Sequence, residues 1–92
     1  MTLKRYVIER DLPNIGASSP TDLSGAAGTS NAALAQLAPQ VQWEHSYVAN
    51  DKTFCIYLAE GEDAIREHAR LSGFPATTIT EVKSIIDPTT AA

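Results

Sequence analysis

The stretch Val41 to Ala59, VQWEHSYVANDKTFCIYLA, constrains the fold of this chain more than any other. Two runs rich in aromatic and β-branched residues flank the turn signal Asn50-Asp51-Lys52, and this pattern predicts a β-hairpin. For a turn closed by an even number of residues, the predicted cross-strand pairs are Tyr47 with Phe54, His45 with Ile56, and Trp43 with Leu58.

Side-chain alternation assigns two different surfaces to this hairpin. We expect the face with Phe54, Ile56 and Leu58 to be the core face, and His45 goes inside with it. The opposite face is mixed and semi-polar, which suits a cavity or a subunit interface better than bulk water. That second face carries Glu44, Ser46, Val48, Thr53, Cys55 and Tyr57.

The segments around the hairpin predict two further strands and two helices. The first strand places Tyr6 and Ile8 in the core, because the reverse register would bury the carboxylate of Glu9. Ser19 is a typical N-cap of the first helix, and Gly73 ends the second. The predicted strands are 4–11, 41–49, 52–59 and 77–86, and the predicted helices are 20–37 and 62–72.

The order of these elements predicts an α+β fold of the ferredoxin-like type. The order βαββαβ is the split β-α-β arrangement, a four-stranded antiparallel sheet with two helices on one face. We expect a single ferredoxin-like domain over residues 1–92, with 86–92 as a frayed tail. Because the other face of the sheet stays open, we also expect a homodimer formed through the open sheet face.

Composition limits the classes of partner. A hydrophobic fraction of 43% and a charged fraction of 20% are ordinary for a soluble globular protein, and a formal charge of -4 argues against nucleic acid. No apolar run approaches the ~20 residues that cross a bilayer, so no membrane contact is predicted. A single cysteine is consistent with a reducing compartment, and we expect a cytoplasmic protein. No catalytic motif is present, so an enzyme is not the preferred reading.

The residues best suited to bind a metal are the two histidines and the cysteine. His45 and His68 are both predicted between the sheet and the second helix, where two imidazoles with a carboxylate or thiolate would suit nickel or zinc. The alternative is that each histidine is a hydrogen-bonded core or rim residue. Cys55 is either a soft ligand or a small buried hydrophobe.

Four segments together resemble a known family. YVIERDLP, WEHSYVANDKTFCIY, AIREHARLSGFP and ITEV are similar to segments of small bacterial ferredoxin-like domains of unknown function, for one member of which nickel binding has been described. The resemblance covers nearly the whole chain. At three places where the histidine-rich members of the family carry histidine, this chain has Glu9-Arg10, Phe74 and Thr80.

The resemblance implies a dimeric binding protein for a divalent transition metal, with nickel preferred as the cofactor. The matching positions for metal ligands are His45, His68, Cys55 and Glu81.

The alternative is a dimeric α+β barrel enzyme or a binder of a small organic ligand. Its open-face pocket would be lined by Glu9, Glu44, Cys55 and Tyr57. A third interpretation gives the three strand glutamates, Glu9, Glu44 and Glu81, no role in a site. They are then solvated or form salt bridges with Arg5, Arg10 and Lys83.

Overall fold

The structure is a computed structural model that describes residues 2–91. Its elements are β1 (Lys4–Asp11), α1 (Pro20–Leu37), β2 (Val41–Val48), β3 (Lys52–Ala59), α2 (Glu62–Ser72) and β4 (Thr78–Glu81), with 3₁₀ turns at Ile15–Ala17 and Pro88–Ala91. The strands form one antiparallel sheet in the order β2-β3-β1-β4. Both helices pack on the same face, so the predicted ferredoxin-like α+β fold is confirmed.

Most predicted element boundaries agree with the structure, because local signals set them. At α1 the Ser19 hydroxyl accepts a hydrogen bond from the backbone N–H of Asp22, whose carboxylate accepts one from the Ser19 N–H. This reciprocal pair is a capping box. Gly73 ends α2 with φ at 80°, a left-handed conformation that favours glycine.

The last strand is shorter than predicted. β4 covers Thr78–Glu81 rather than 77–86, because it is an edge strand whose pairing with β1 extends only from Glu9 to Tyr6. After it the backbone N–H of Val82 still donates to the Arg5 carbonyl at 2.8 Å. Within the predicted frayed tail, the structure has the 3₁₀ turn Pro88–Ala91, which is exposed.

The hairpin turn has two residues, the even number that the predicted cross-strand pairing assumes. The strand β2, however, contains a β-bulge. The predicted pairs of Tyr47 with Phe54 and His45 with Ile56 are confirmed. The register shifts between Trp43 and His45, so Trp43 pairs with Tyr57 and not with Leu58 as predicted. A bulge adds one residue to one strand and therefore reverses the face parity of the residues before it.

The predicted core face of the hairpin is wrong. Cys55 and Tyr57 are buried under the helices, whereas Phe54, Ile56 and Leu58 lie on the other face and are half-buried. The reason is the central position of β3 beside β1. The strand β1 pairs Tyr6 with Tyr57 and Ile8 with Cys55. Since directly opposed residues point to the same face, a core that includes Tyr6 and Ile8 must include Tyr57 and Cys55.

The loop after β1 is fastened to the hairpin turn. Gly16 N–H donates to the Asn50 carbonyl at 2.9 Å, and Leu12 N–H donates to the Asp51 carbonyl at 2.9 Å. A Cβ atom at Gly16 would lie 2.6 Å from the Ala49 carbonyl oxygen, so only glycine allows this close approach. These contacts hold Leu12 and Ile15 over the edge of the helix-covered face of the sheet. Within residues 2–91, no helix has the length and apolar character needed to span a membrane.

Candidate functional site

The open face is the face of the sheet without helices, and its centre is apolar. Its central residues, all half-buried, are Val7, Phe54, Ile56 and Leu58. At the β2 edge of this face, His45 is exposed, and its Nε2 atom lies 3.2 Å from the Tyr47 hydroxyl. The two rings meet edge to face with centroids 5.0 Å apart. His45 is therefore an accessible imidazole beside an apolar surface, and the prediction that it lies under the second helix is wrong.

His68 lies on the other side of the sheet. It is 0% exposed, and its Nε2 atom is 3.1 Å from the Ser30 hydroxyl of α1. The Tyr57 ring packs edge-on against it at 5.1 Å between centroids. Burial, with a smaller contribution from the positive charge of Arg10, lowers the pKa of His68 to about 4, so the ring is neutral at pH 7. The inward orientation predicted for His68 is confirmed, but the sheet separates it from His45.

Cys55 and Tyr57 also lie on the helix-covered face. The Cys55 thiol is 3.4 Å from the Thr53 hydroxyl. The Tyr57 hydroxyl is 3.2 Å from the Ser30 hydroxyl, and burial raises the pKa of Tyr57, so the phenol stays protonated at pH 7. Both residues border a cavity beside α1.

The glutamates are held by neighbouring cations. Arg5 Nε donates to Glu44 at 2.7 Å, and this hydrogen bond lowers the pKa of Glu44. Lys52 Nζ lies 3.2 Å from Glu9. Both carboxylates lie on the open-face side, away from Cys55 and Tyr57, so the four residues of the predicted open-face pocket do not converge.

Glu81 ends β4 opposite Tyr6 and pairs with Lys83 Nζ at 2.9 Å, which lowers its pKa. The predicted metal ligands are thus dispersed over both faces of the sheet. Among residues 2–91 no group of three or more His, Cys, Asp or Glu side chains is placed to hold a metal ion.

The burial of two polar residues was not predicted from the sequence. Arg10 is 2% exposed and donates to backbone carbonyls, so its predicted salt bridge with a strand glutamate is wrong. Ser30 is buried at the contact between the two helices and the sheet. The sequence did contain a signal for the burial of Arg10, because Arg10 continues the alternation in which Tyr6 and Ile8 point to the core. Ser30 had no comparable signal, since a serine in a helix is usually exposed.

Comparisons with known proteins agree with this fold. The model of the family described as "Nickel responsive protein SCO4226-like" matches residues 6–82. The crystal structure of SCO4226 from Streptomyces coelicolor A3(2) superposes with a TM-score of 0.74 at 15% sequence identity, over 89% of this chain and 99% of that one. No curated protein sequence matches. The match of the family model over most of the chain shows that this protein belongs to the SCO4226-like family of nickel responsive proteins.

Proposed function

We propose that this protein is a homodimer that binds nickel on its open face through His45, with His45 of the second copy as a further ligand. The observation that carries the proposal is the position of His45, an exposed imidazole at the edge of an uncovered apolar surface. Imidazole is a good ligand for nickel. The family to which the chain belongs is described as nickel responsive.

The second copy enters the proposal for two reasons. The described residues of one chain offer no group of three His, Cys, Asp or Glu side chains, and a transition metal takes about four or more donors. The open face exposes apolar side chains that pairing of two sheets would bury. If two copies related by a two-fold axis pack through this face, each contributes its His45 to the same interface.

Calorimetric titration of the protein with nickel, zinc and copper tests the proposal. Copper binds tightest to almost any nitrogen or sulfur site, so selectivity for nickel over zinc is the informative result. We expect about one nickel per dimer, a raised melting temperature, and weaker uptake in acid, because imidazole binds metals only in its neutral form.

Three variants separate the candidate ligands. His45→Ala should abolish nickel uptake, whereas His68→Gln and Cys55→Ser should keep it, because both of those side chains lie under the helices. Circular dichroism of each variant establishes that it is folded. Nickel uptake by folded His45→Ala with unchanged stoichiometry and affinity would refute the proposal.

A further inference from the structure

A cavity of about 220 Å³ lies on the helix-covered face, between the sheet, α1, the loop after β1 and the segment that follows α2. The apolar part of its wall comes from all of these elements: Leu12, Ile15, Leu23, Ala26, Trp43, Val48 and Phe74. The remaining lining residues are Arg10, Ser30, Ser46, Thr53, Cys55 and Tyr57. Among them Arg10 is the only charged residue. The cavity is therefore a partly open, largely apolar pocket with one cationic side chain and several hydroxyl groups.

Among the described residues, Arg10 has no acidic side chain as an ion-pair partner. Its Nη1 atom donates to the carbonyl oxygens of Phe74 and Pro75 at 3.1 Å each, while Nη2 is buried and has no hydrogen-bond partner within residues 2–91. None of the ion pairs within residues 2–91 includes Arg10. A buried guanidinium without an opposing charge is unfavourable, and arginine matches the geometry of a carboxylate. This environment favours an anionic occupant.

The groups next to Arg10 add hydrogen-bonding capacity and no negative charge. The Arg10 guanidinium carbon lies 5.7 Å from the centroid of the Tyr57 ring, and the Tyr57 hydroxyl contacts Ser30. His68, which bonds the same serine, is buried and neutral. With one cation and no second positive group, the lining balances a single negative charge.

The volume of the cavity and the residues that line it indicate the size and shape of the rest of the ligand. The rings of Trp43 and Tyr57 both line the cavity, with centroids 6.4 Å apart and 21° between their planes. An apolar cavity of about 150 Å³ in another protein holds benzene, so the larger volume of this pocket accommodates a ring with one substituent. Flat aromatic walls favour a flat apolar body.

We propose that this cavity binds a small monocarboxylate whose apolar body is about the size of one aromatic ring, with the carboxylate paired to Arg10. The site lies on the opposite side of the sheet from His45 and does not depend on nickel. The site lies on the semi-polar face of the hairpin that contains Cys55 and Tyr57. Its charged residue is Arg10, whereas the pocket predicted from the sequence contained glutamates.

Titration with sodium benzoate tests the proposal. Trp43 is the only tryptophan and lines the cavity, so its fluorescence reports on occupancy. We expect a saturable change in fluorescence and a raised melting temperature with benzoate, and neither effect with sodium chloride at the same ionic strength. Benzamide has the same ring but no charge, and should bind at least about tenfold more weakly, as expected for loss of a charge-assisted pair. Equal responses to benzoate and benzamide would overturn the pairing with Arg10.

Two variants locate the site. Arg10→Met should weaken benzoate binding about tenfold or more, whereas Arg66→Met, which removes an exposed arginine on α2, should leave it unchanged. Ala26→Leu keeps Arg10 but fills part of the cavity from α1, so it should block benzoate even if Arg10→Met fails to fold. Binding of benzoate to Ala26→Leu or to folded Arg10→Met with wild-type affinity would refute the proposal.

Discussion

The Nε2 atom of His68 on α2 lies 3.1 Å from the hydroxyl of Ser30 on α1, which makes this pair a polar link between the two helices. The same hydroxyl lies 3.2 Å from the Tyr57 hydroxyl on β3. One serine thus connects both helices to the sheet inside a buried environment. Removing or charging any member of this chain of contacts should affect the stability of the whole domain.

Acid should destabilise the protein through His68. Its pKa is about 4 in the folded state and near 6.5 when unfolded, so between these values the unfolded state binds more protons. The stabilisation is complete above about pH 6.5 and falls as the pH drops toward 4, by roughly 3 kcal/mol at about 1.4 kcal/mol per pKa unit.

Urea denaturation between pH 4.5 and 7 measures this loss. His68→Gln keeps a polar partner for Ser30 but cannot titrate, so its stability should vary much less with pH. An unchanged slope in His68→Gln would assign the pH dependence to other groups.

Ser30→Ala should destabilise the fold by about 1–3 kcal/mol, because it leaves the buried His68 and Tyr57 polar atoms without their shared partner. Chemical denaturation gives the free energy of unfolding. Ser24→Ala is the matched control, since Ser24 is exposed on the same helix and should change stability by less than about 0.5 kcal/mol. Equal effects of the two substitutions would show that the buried contacts contribute nothing.

Alanine should have opposite effects at two glycines. At Gly16 the new Cβ would meet the Ala49 carbonyl oxygen at 2.6 Å and the Asn50 Cα at 2.8 Å, both backbone atoms. Gly16→Ala should therefore cost about 1–3 kcal/mol. At Gly25 in α1 nothing lies within 4 Å, and Gly25→Ala should stabilise the protein by about 1 kcal/mol through helix propensity. Melting temperatures of both variants test the pair, and a neutral Gly16→Ala would contradict the close approach of loop and turn.

The proposed dimer predicts that a charge on the open face separates the subunits. Sedimentation should give a mass of about twice the 9.8 kDa of one chain. Ile56→Lys should give the single-chain mass and lose nickel, because the lysine would be buried at the interface. Ile85→Lys, at an exposed isoleucine outside the sheet, should remain dimeric. A wild-type protein that sediments as one chain would refute the dimer.

Element identity and most boundaries, those of the last strand excepted, could be predicted from the sequence, because their causes are local. Ser19 and Gly73 mark helix ends through contacts within a few residues of each, and Asn50-Asp51 closes the hairpin by its own turn preference. These signals determined the order βαββαβ, and with it the ferredoxin-like fold.

The tertiary structure alone decided which side of the sheet is buried. Both faces of β3 are rich in apolar residues, so alternation could not distinguish Phe54 from Cys55 as a core position. Cys55 is a core residue because it pairs with Ile8 on β1. The bulge after Trp43 places Trp43 on the same face as Tyr57, which is also the core face.

The environment of Arg10 follows from the same pairing. Opposite Thr53, it lies on the buried face with its neighbours Tyr6 and Ile8, and the carbonyls that it contacts come from residues 64 and 65 positions later in the chain. Local sequence determines the conformation of a segment. The contacts that enclose a side chain depend on strands brought together from distant parts of the chain, and the free energy of the whole core selects among them.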